Sequence, residues 1–138
     1  MKQEVNFAIL MADDDEDDCN FAREAFLECC QQTSVGCVLD GMELMDYLTE
    51  HSRAGSDELP RLILLDLNMP RKDGRQALIE IKAEPTLREI PVVIFTTSSE
   101  EKDIAFAMKS GAASFITKPV GFDEWVDIMR SLSLKWLR

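Results

Sequence analysis

ILMADDDEDD, residues 9–18, joins a short apolar run to six consecutive carboxylates. Runs of like charge usually belong to solvated or disordered segments, because neighbouring charges repel. Here the run follows residues that read as a buried strand, so the charge lies at the mouth of a core. Its meaning depends on what else the chain brings to that end of the strand.

Working outward, comparable apolar runs recur at intervals. FAILMA (7–12), LILLD (62–66), PVVIF (91–95) and SFIT (114–117) read as strands, and VGCVL (35–39) is a weaker fifth. Three of them are continuously apolar, as parallel strands covered on both faces are. Between them lie helical periodicities. Ala22, Ala25, Phe26 and Cys29 mark a first helix, and Leu44, Met45, Tyr47 and Leu48 a second. Ala77, Leu78 and Ile81 mark a third, entered by the turn RKDG; Ile104, Ala107 and Met108 mark a fourth, stopped at Gly111. Phe122, Trp125, Val126, Met129, Leu132 and Trp136 form the stripe of a fifth. Five strand–helix units in succession imply an α/β fold with one parallel sheet and helices on both faces. Ligands of such folds gather beyond the carboxyl ends of the strands.

The chain has 138 residues, the size of one domain, with no linker or repeat, and the expectation is a single unit over 1–138 without an effector domain. A formal charge of −11 argues against general affinity for nucleic acid or anionic membranes. No apolar stretch approaches the ~20 residues of a membrane helix, and MKQEVNF lacks a signal-peptide core, so a cytoplasmic location is expected. Cys19, Cys29, Cys30 and Cys37 lack zinc spacing and read as free thiols. His51, the one histidine, reads as a surface loop residue. The glycines form neither a dinucleotide-binding nor a P-loop pattern.

The strand ends then supply the chemistry. The first strand delivers Asp13 and Asp14, the third Asp66, the fourth Thr96 and Thr97, and the fifth Lys118 followed by Pro119. Unit charges ~4 Å apart repel by about 4 kcal/mol at an effective dielectric near 20. Clustered carboxylates therefore call for a proton or cation between them. Lys118 offsets one charge, and Mg²⁺, which uses few carboxylates and keeps its waters, suits the remainder. Such a crevice would receive a phosphoryl group, with Asp66 as the attacking carboxylate. Singly, each residue has a plainer reading: Asp66 as a turn cap, Lys118 as a solvated cation, Thr96 as a strand residue. Residues 15–18 read as N-terminal helix charges, favoured by the helix dipole at ~0.3–1 kcal/mol each. Joint placement at the ends of different strands is what favours a site.

At these positions the sequence resembles the response-regulator receiver domains of the CheY type, over essentially its whole length. ILMADDDEDD resembles the acidic opening of that family, LILLDLNMPRKDG its phosphoacceptor segment, IPVVIFTTS its fourth strand and GAASFITKP its fifth. The resemblance implies a (βα)5 doubly wound sheet of order 2-1-3-4-5 and a role in a two-component phosphorelay. It implies that Asp66 takes a phosphoryl group from a histidine kinase, and that Asp13, Asp14, Asp66 and the carbonyl of Asn68 hold Mg²⁺. Thr96 and Lys118 would contact phosphoryl oxygens, and a cis peptide before Pro119 would aim Lys118 inward. Phe115 falls at the aromatic switch position, where many members carry Tyr, so its readout would rest on ring packing. Asn68 and Ser98 occupy positions that tune dephosphorylation.

More narrowly, LDLNMPRKDGR, IPVVIFTTS and HSRAGSDELPR resemble stand-alone regulators associated with bacterial phytochromes, so a bacteriophytochrome or another sensor kinase is the expected partner. Ile128 and Leu134 widen the apolar stripe of the fifth helix. A homodimer through the fourth helix, fifth strand and fifth helix is expected on that ground. Two other classes fit parts of the pattern. Asp13-x-Asp15 suits a haloacid-dehalogenase-type phosphatase, although no acidic motif follows Lys118 on a further strand. A pseudo-receiver that never takes a phosphoryl group is disfavoured by the full set of required residue types.

Overall fold

Each apolar run becomes a strand of one parallel sheet. The computed structural model describes residues 7–31, 34–53, 55 and 58–137. The chain alternates β1 (Ile9–Ala12), α1 (Glu16–Cys30), β2 (Val35–Val38), α2 (Gly41–Arg53) and β3 (Leu62–Leu65). It continues with α3 (Gly74–Ala83), β4 (Val92–Thr96), α4 (Glu101–Lys109), β5 (Ser114–Thr117) and α5 (Phe122–Trp136). The strand order is β2-β1-β3-β4-β5, all parallel, as expected.

The three central strands are buried throughout, whereas edge strands β2 and β5 are partly exposed. That is why only the central strands could be written as unbroken apolar runs. Successive side chains still divide between two cores, because a strand alternates its faces. Leu10, Ile63, Leu65 and Ile94 pack with Leu44, Leu78, Ile81 and Ala107 on one side. Ile9, Met11, Leu64 and Phe95 pack with Ala22, Phe26, Trp125 and Met129 on the other.

Several expectations are corrected. Of the apolar residues that marked the fourth helix, only Ala107 is buried; Ile104 and Met108 are exposed, and Asp103 takes the second buried position. His51 belongs to the last turn of α2, not to a loop. Its Nδ1 lies 2.9 Å from the Tyr47 carbonyl and its ring stacks on Tyr47, an i,i+4 arrangement that an unbroken helix makes possible. Cys29 and Cys30 stand next to each other at the end of α1 with their sulfurs in contact, while Cys19 and Cys37 are free. The Lys118–Pro119 peptide is trans, as is every peptide bond among the described residues.

Candidate functional site

Register brings the chosen residues together. Ala12 pairs with Leu65, so the next residues, Asp13 and Asp66, leave their strands side by side. The Asp66 amide donates to the Ala12 carbonyl at 3.0 Å, and the Asp13 amide to the Val38 carbonyl at 3.0 Å. Thr96 pairs with Thr117, and the Lys118 amide donates to the Thr96 carbonyl at 2.7 Å. That bond brings Lys118 beside Thr96 without a cis peptide. Behind Asp66, α3 starts at Gly74, whose amide donates to the Leu67 carbonyl at 2.9 Å. A Cβ at Gly74 would collide with the Asp66 carbonyl, so this close approach requires glycine.

Both oxygens of Asp66 are engaged. The Thr96 hydroxyl donates to Oδ1 at 2.7 Å, and the Asn68 amide donates to the same oxygen at 3.3 Å. Lys118 Nζ lies 3.4 Å from Oδ2. Lys118 is also 2.6 Å from Asp13 Oδ2 and 2.7 Å from Asp18 Oδ2, with its side chain only 6% exposed. Burial works against the ammonium, but hydrogen bonds to Asp13 and Asp18 outweigh it and hold the group above the usual lysine range. Asp13 is fully buried, and burial pushes its carboxyl up to about 6 against the opposing pull of Lys118 and the Asp15 amide.

One carboxylate oxygen from each of Asp13, Asp14 and Asp66 lies within 4.8 Å of the others. An octahedral Mg²⁺ holds oxygens at about 2.1 Å, so opposite ligands stand about 4.2 Å apart. Small adjustments would therefore close these three around one ion. Asp13 Oδ2 is buried and its partner is already a cation, the Lys118 ammonium at 2.6 Å. The donor set is all oxygen. It fits Mg²⁺ or Mn²⁺ and offers nothing to a soft metal.

The acidic run thus divides by position. Asp13 and Asp14 face the crevice, whereas Asp15 caps α1 by accepting the amides of Asp17 and Asp18. Glu16 and Asp17 are exposed charges of the first helical turn. Asp18 departs from the reading as a helix charge, because it pairs with Lys118 across the fold. A signal for this was present: Asp18 falls in phase with Ala22 and Ala25, on the stripe facing the sheet.

A second polar group that went unread adjoins the crevice. Arg75 on α3 contacts Asp103 on α4 at 3.0 Å, and the Ser98 hydroxyl donates to the other oxygen of Asp103 at 2.7 Å. The Ser98 hydroxyl, then Arg75, hold the Asp103 carboxyl below its ordinary range. The Thr117 hydroxyl donates to the Ser98 carbonyl at 3.1 Å, tying β5 to the same loop. Phe115 is partly buried against the core on the α4 side.

A five-stranded sheet of this order, with carboxylates, a hydroxyl and a lysine meeting at its carboxyl edge, defines a phosphorelay receiver. The sequence profile of the response regulator receiver domain matches residues 9–130, and the chain belongs to that family. It is similar to the response regulator Rcp1 of Synechocystis sp. (strain ATCC 27184 / PCC 6803 / Kazusa), at 32% identity over 94% of this chain and 88% of that protein. It is 32% identical to the probable methanogenesis regulatory protein FilR2 of Methanothrix harundinacea (strain 6Ac), over 99% of this chain and 88% of that one. Among solved structures, the phosphorylated cyanobacterial phytochrome response regulator RcpA superposes with a TM-score of 0.84 at 37% identity, covering 96% of this chain and 94% of that one. The Mn²⁺-bound form of Rcp1 superposes with a TM-score of 0.81 at 32% identity, with 94% of each chain covered. The chain is a receiver homologous to stand-alone response regulators and works in two-component phosphorelay signalling, in which receivers interact with histidine kinases. No helix among the described residues is long and apolar enough to cross a membrane.

Proposed function

We propose that Asp66 is the phosphoacceptor of this receiver. The observation carrying this is the pair of contacts on Asp66: Thr96 on Oδ1 and Lys118 on Oδ2. Asp66 Oδ2 attacks the phosphorus of a kinase phosphohistidine. A new O–P bond forms, the P–N bond breaks, and the electron pair leaves with the imidazole. Thr96 and Lys118 then donate to the new phosphoryl oxygens, where charge-assisted bonds stabilise by ~1.5–3 kcal/mol each. Asp13, Asp14, Asp66 and the Asn68 carbonyl hold Mg²⁺, which when bound neutralises charge on the transferring group. The same residues serve the return reaction, in which water takes the phosphoryl group and restores the carboxylate.

The signal leaves through the face of α4, β5 and α5. Thr96 moving toward the phosphoryl group vacates space that the Phe115 ring can enter, a packing switch with no hydroxyl involved. Shifting such an equilibrium from 1:99 to 99:1 takes about 5.5 kcal/mol, which several charge-assisted bonds supply together. Met108, Phe122 and Leu134 leave exposed apolar surface on α4 and α5, in favour of homodimerisation there. The similarity to RcpA, a phytochrome response regulator, favours a bacteriophytochrome as the kinase, and the cytoplasm is the location we propose for both.

Incubation with acetyl phosphate and Mg²⁺, followed by intact-mass measurement, tests the central assignment. Wild type should gain one phosphoryl group and Asp66→Asn none. Labelling that persists in Asp66→Asn removes the assignment.

A further inference from the structure

We infer that Asp18 is a positioning residue for Lys118, keeping the lysine in the crevice when a divalent cation takes its place on Asp13. The inference rests on the reading of Asp13, Asp14 and Asp66 as the cation site.

Competition for one oxygen leads to it. Asp13 Oδ1 accepts the Asp15 amide at 2.9 Å, which leaves the buried Oδ2 the more open of the two oxygens to a cation. Lys118 Nζ already sits on that oxygen at 2.6 Å. A divalent ion ~4 Å from an ammonium is repelled by about 8 kcal/mol at an effective dielectric near 20. That repulsion favours withdrawal of Lys118 from Asp13 as the ion arrives. Asp66 offers a poor refuge, since its Oδ2 is farther from Nζ, at 3.4 Å, and Asp66 is itself one of the three carboxylates of the cation group. Asp18 remains. Its Oδ2 is 2.7 Å from Nζ, its side chain is 18% exposed, and it lies outside the group that would close on the ion.

Asp18 thus does two things. It gives Lys118 a partner that the ion does not claim, so the ammonium stays within reach of Asp66. It also offsets the positive charge that would otherwise oppose the ion. Asp17, the adjacent carboxylate in the same helical turn, is exposed and shows no contact with Lys118. It carries the same formal charge without the contact, which makes it the control.

Calorimetric titration with Mg²⁺ alone separates the possibilities. Asp18→Asn should weaken Mg²⁺ binding roughly tenfold, the low end of what groups that orient metal ligands contribute. Asp17→Asn should stay within about twofold of wild type, because exposed charges act weakly at such sites. Asp18→Glu, which returns the carboxylate on a longer arm, should recover most of the affinity. Acetyl phosphate labelling should show the same displacement of its half-saturating Mg²⁺ concentration, which a loss of folded protein would not produce. If Asp18→Asn does not fold, Asp18→Ser makes the same comparison. Wild-type affinity in Asp18→Asn overturns the inference and leaves the cation site standing. Equal weakening in Asp17→Asn overturns it in favour of general charge. No Mg²⁺ binding by wild type overturns both the inference and the cation site.

Discussion

Two helices on opposite faces of the sheet, α5 and α4, are held by different physics. On one face, α1 and α5 pack through Ala22, Ala25 and Phe26 against Trp125, Met129 and Leu132, with Phe95 meeting the Trp125 ring edge-on at 5.0 Å. The Trp125 indole also donates to the Pro119 carbonyl at 3.1 Å, fixing α5 to the end of β5. On the other face α2 and α3 pack as densely, through Leu44, Leu48, Leu78 and Ile81, but α4 itself buries only Ala107 and Asp103 and meets α3 through the contact between Arg75 and Asp103. Apolar packing is dense, non-directional and lost gradually. A polar contact has discrete partners and can be exchanged for another set. The α1–α5 pair is therefore a stiff element that holds Asp13 and Lys118 in place. On the other face α4 alone is light enough to rearrange when the crevice changes charge.

Three substitutions test that contrast, in order of expected effect. Phe26→Ala, in the stiff α1–α5 pair, should cost about 3–5 kcal/mol of stability in urea unfolding, as large-to-small changes in cores do. A cost below about 1 kcal/mol would show that this pair collapses around the cavity, and the contrast would fail. Arg75→Ala should cost about 1–2 kcal/mol, toward the low end because Ser98 still bonds Asp103 and Arg75 is 32% exposed. Hydrogen exchange should rise in α4 and stay unchanged in α1; an equal rise in both would break the comparison. Met108→Ala, at an exposed position on α4, should shift stability by less than about 0.5 kcal/mol at concentrations where sedimentation shows a monomer. A larger change in the monomer would mean that α4 is packed more firmly than its burial shows, and the contrast would fail.

What could be read before folding follows from where each signal originates. Strand positions were legible because burial on both faces leaves an unbroken apolar run, and β3 shows this in every residue of LILL. Asp13, Asp66, Thr96 and Lys118 were legible for a related reason: in a parallel sheet every strand delivers its exit residue to the same edge. The misread elements have buried positions that are polar or shared. Asp103 looked like a surface charge of α4 because a carboxylate carries no apolar label, although it is in phase with Ala107. Arg75 and Ser98 were not read as one group because they lie on different elements, and their common partner had not been recognised.

The sequence by itself determined the alternation of strands and helices, the sheet they form and the set of groups at its edge, because each of these depends on local periodicity or on which residue ends a strand. Tertiary structure alone decided which charges meet. Asp18 and Lys118 are separated by 100 positions and come to 2.7 Å only because the first turn of α1 and the residue that leaves β5 meet at the carboxyl edge of one sheet. Pairing between ions depends on approach distance and burial, to which periodicity is blind, so the division of labour within the acidic run became visible only in the fold.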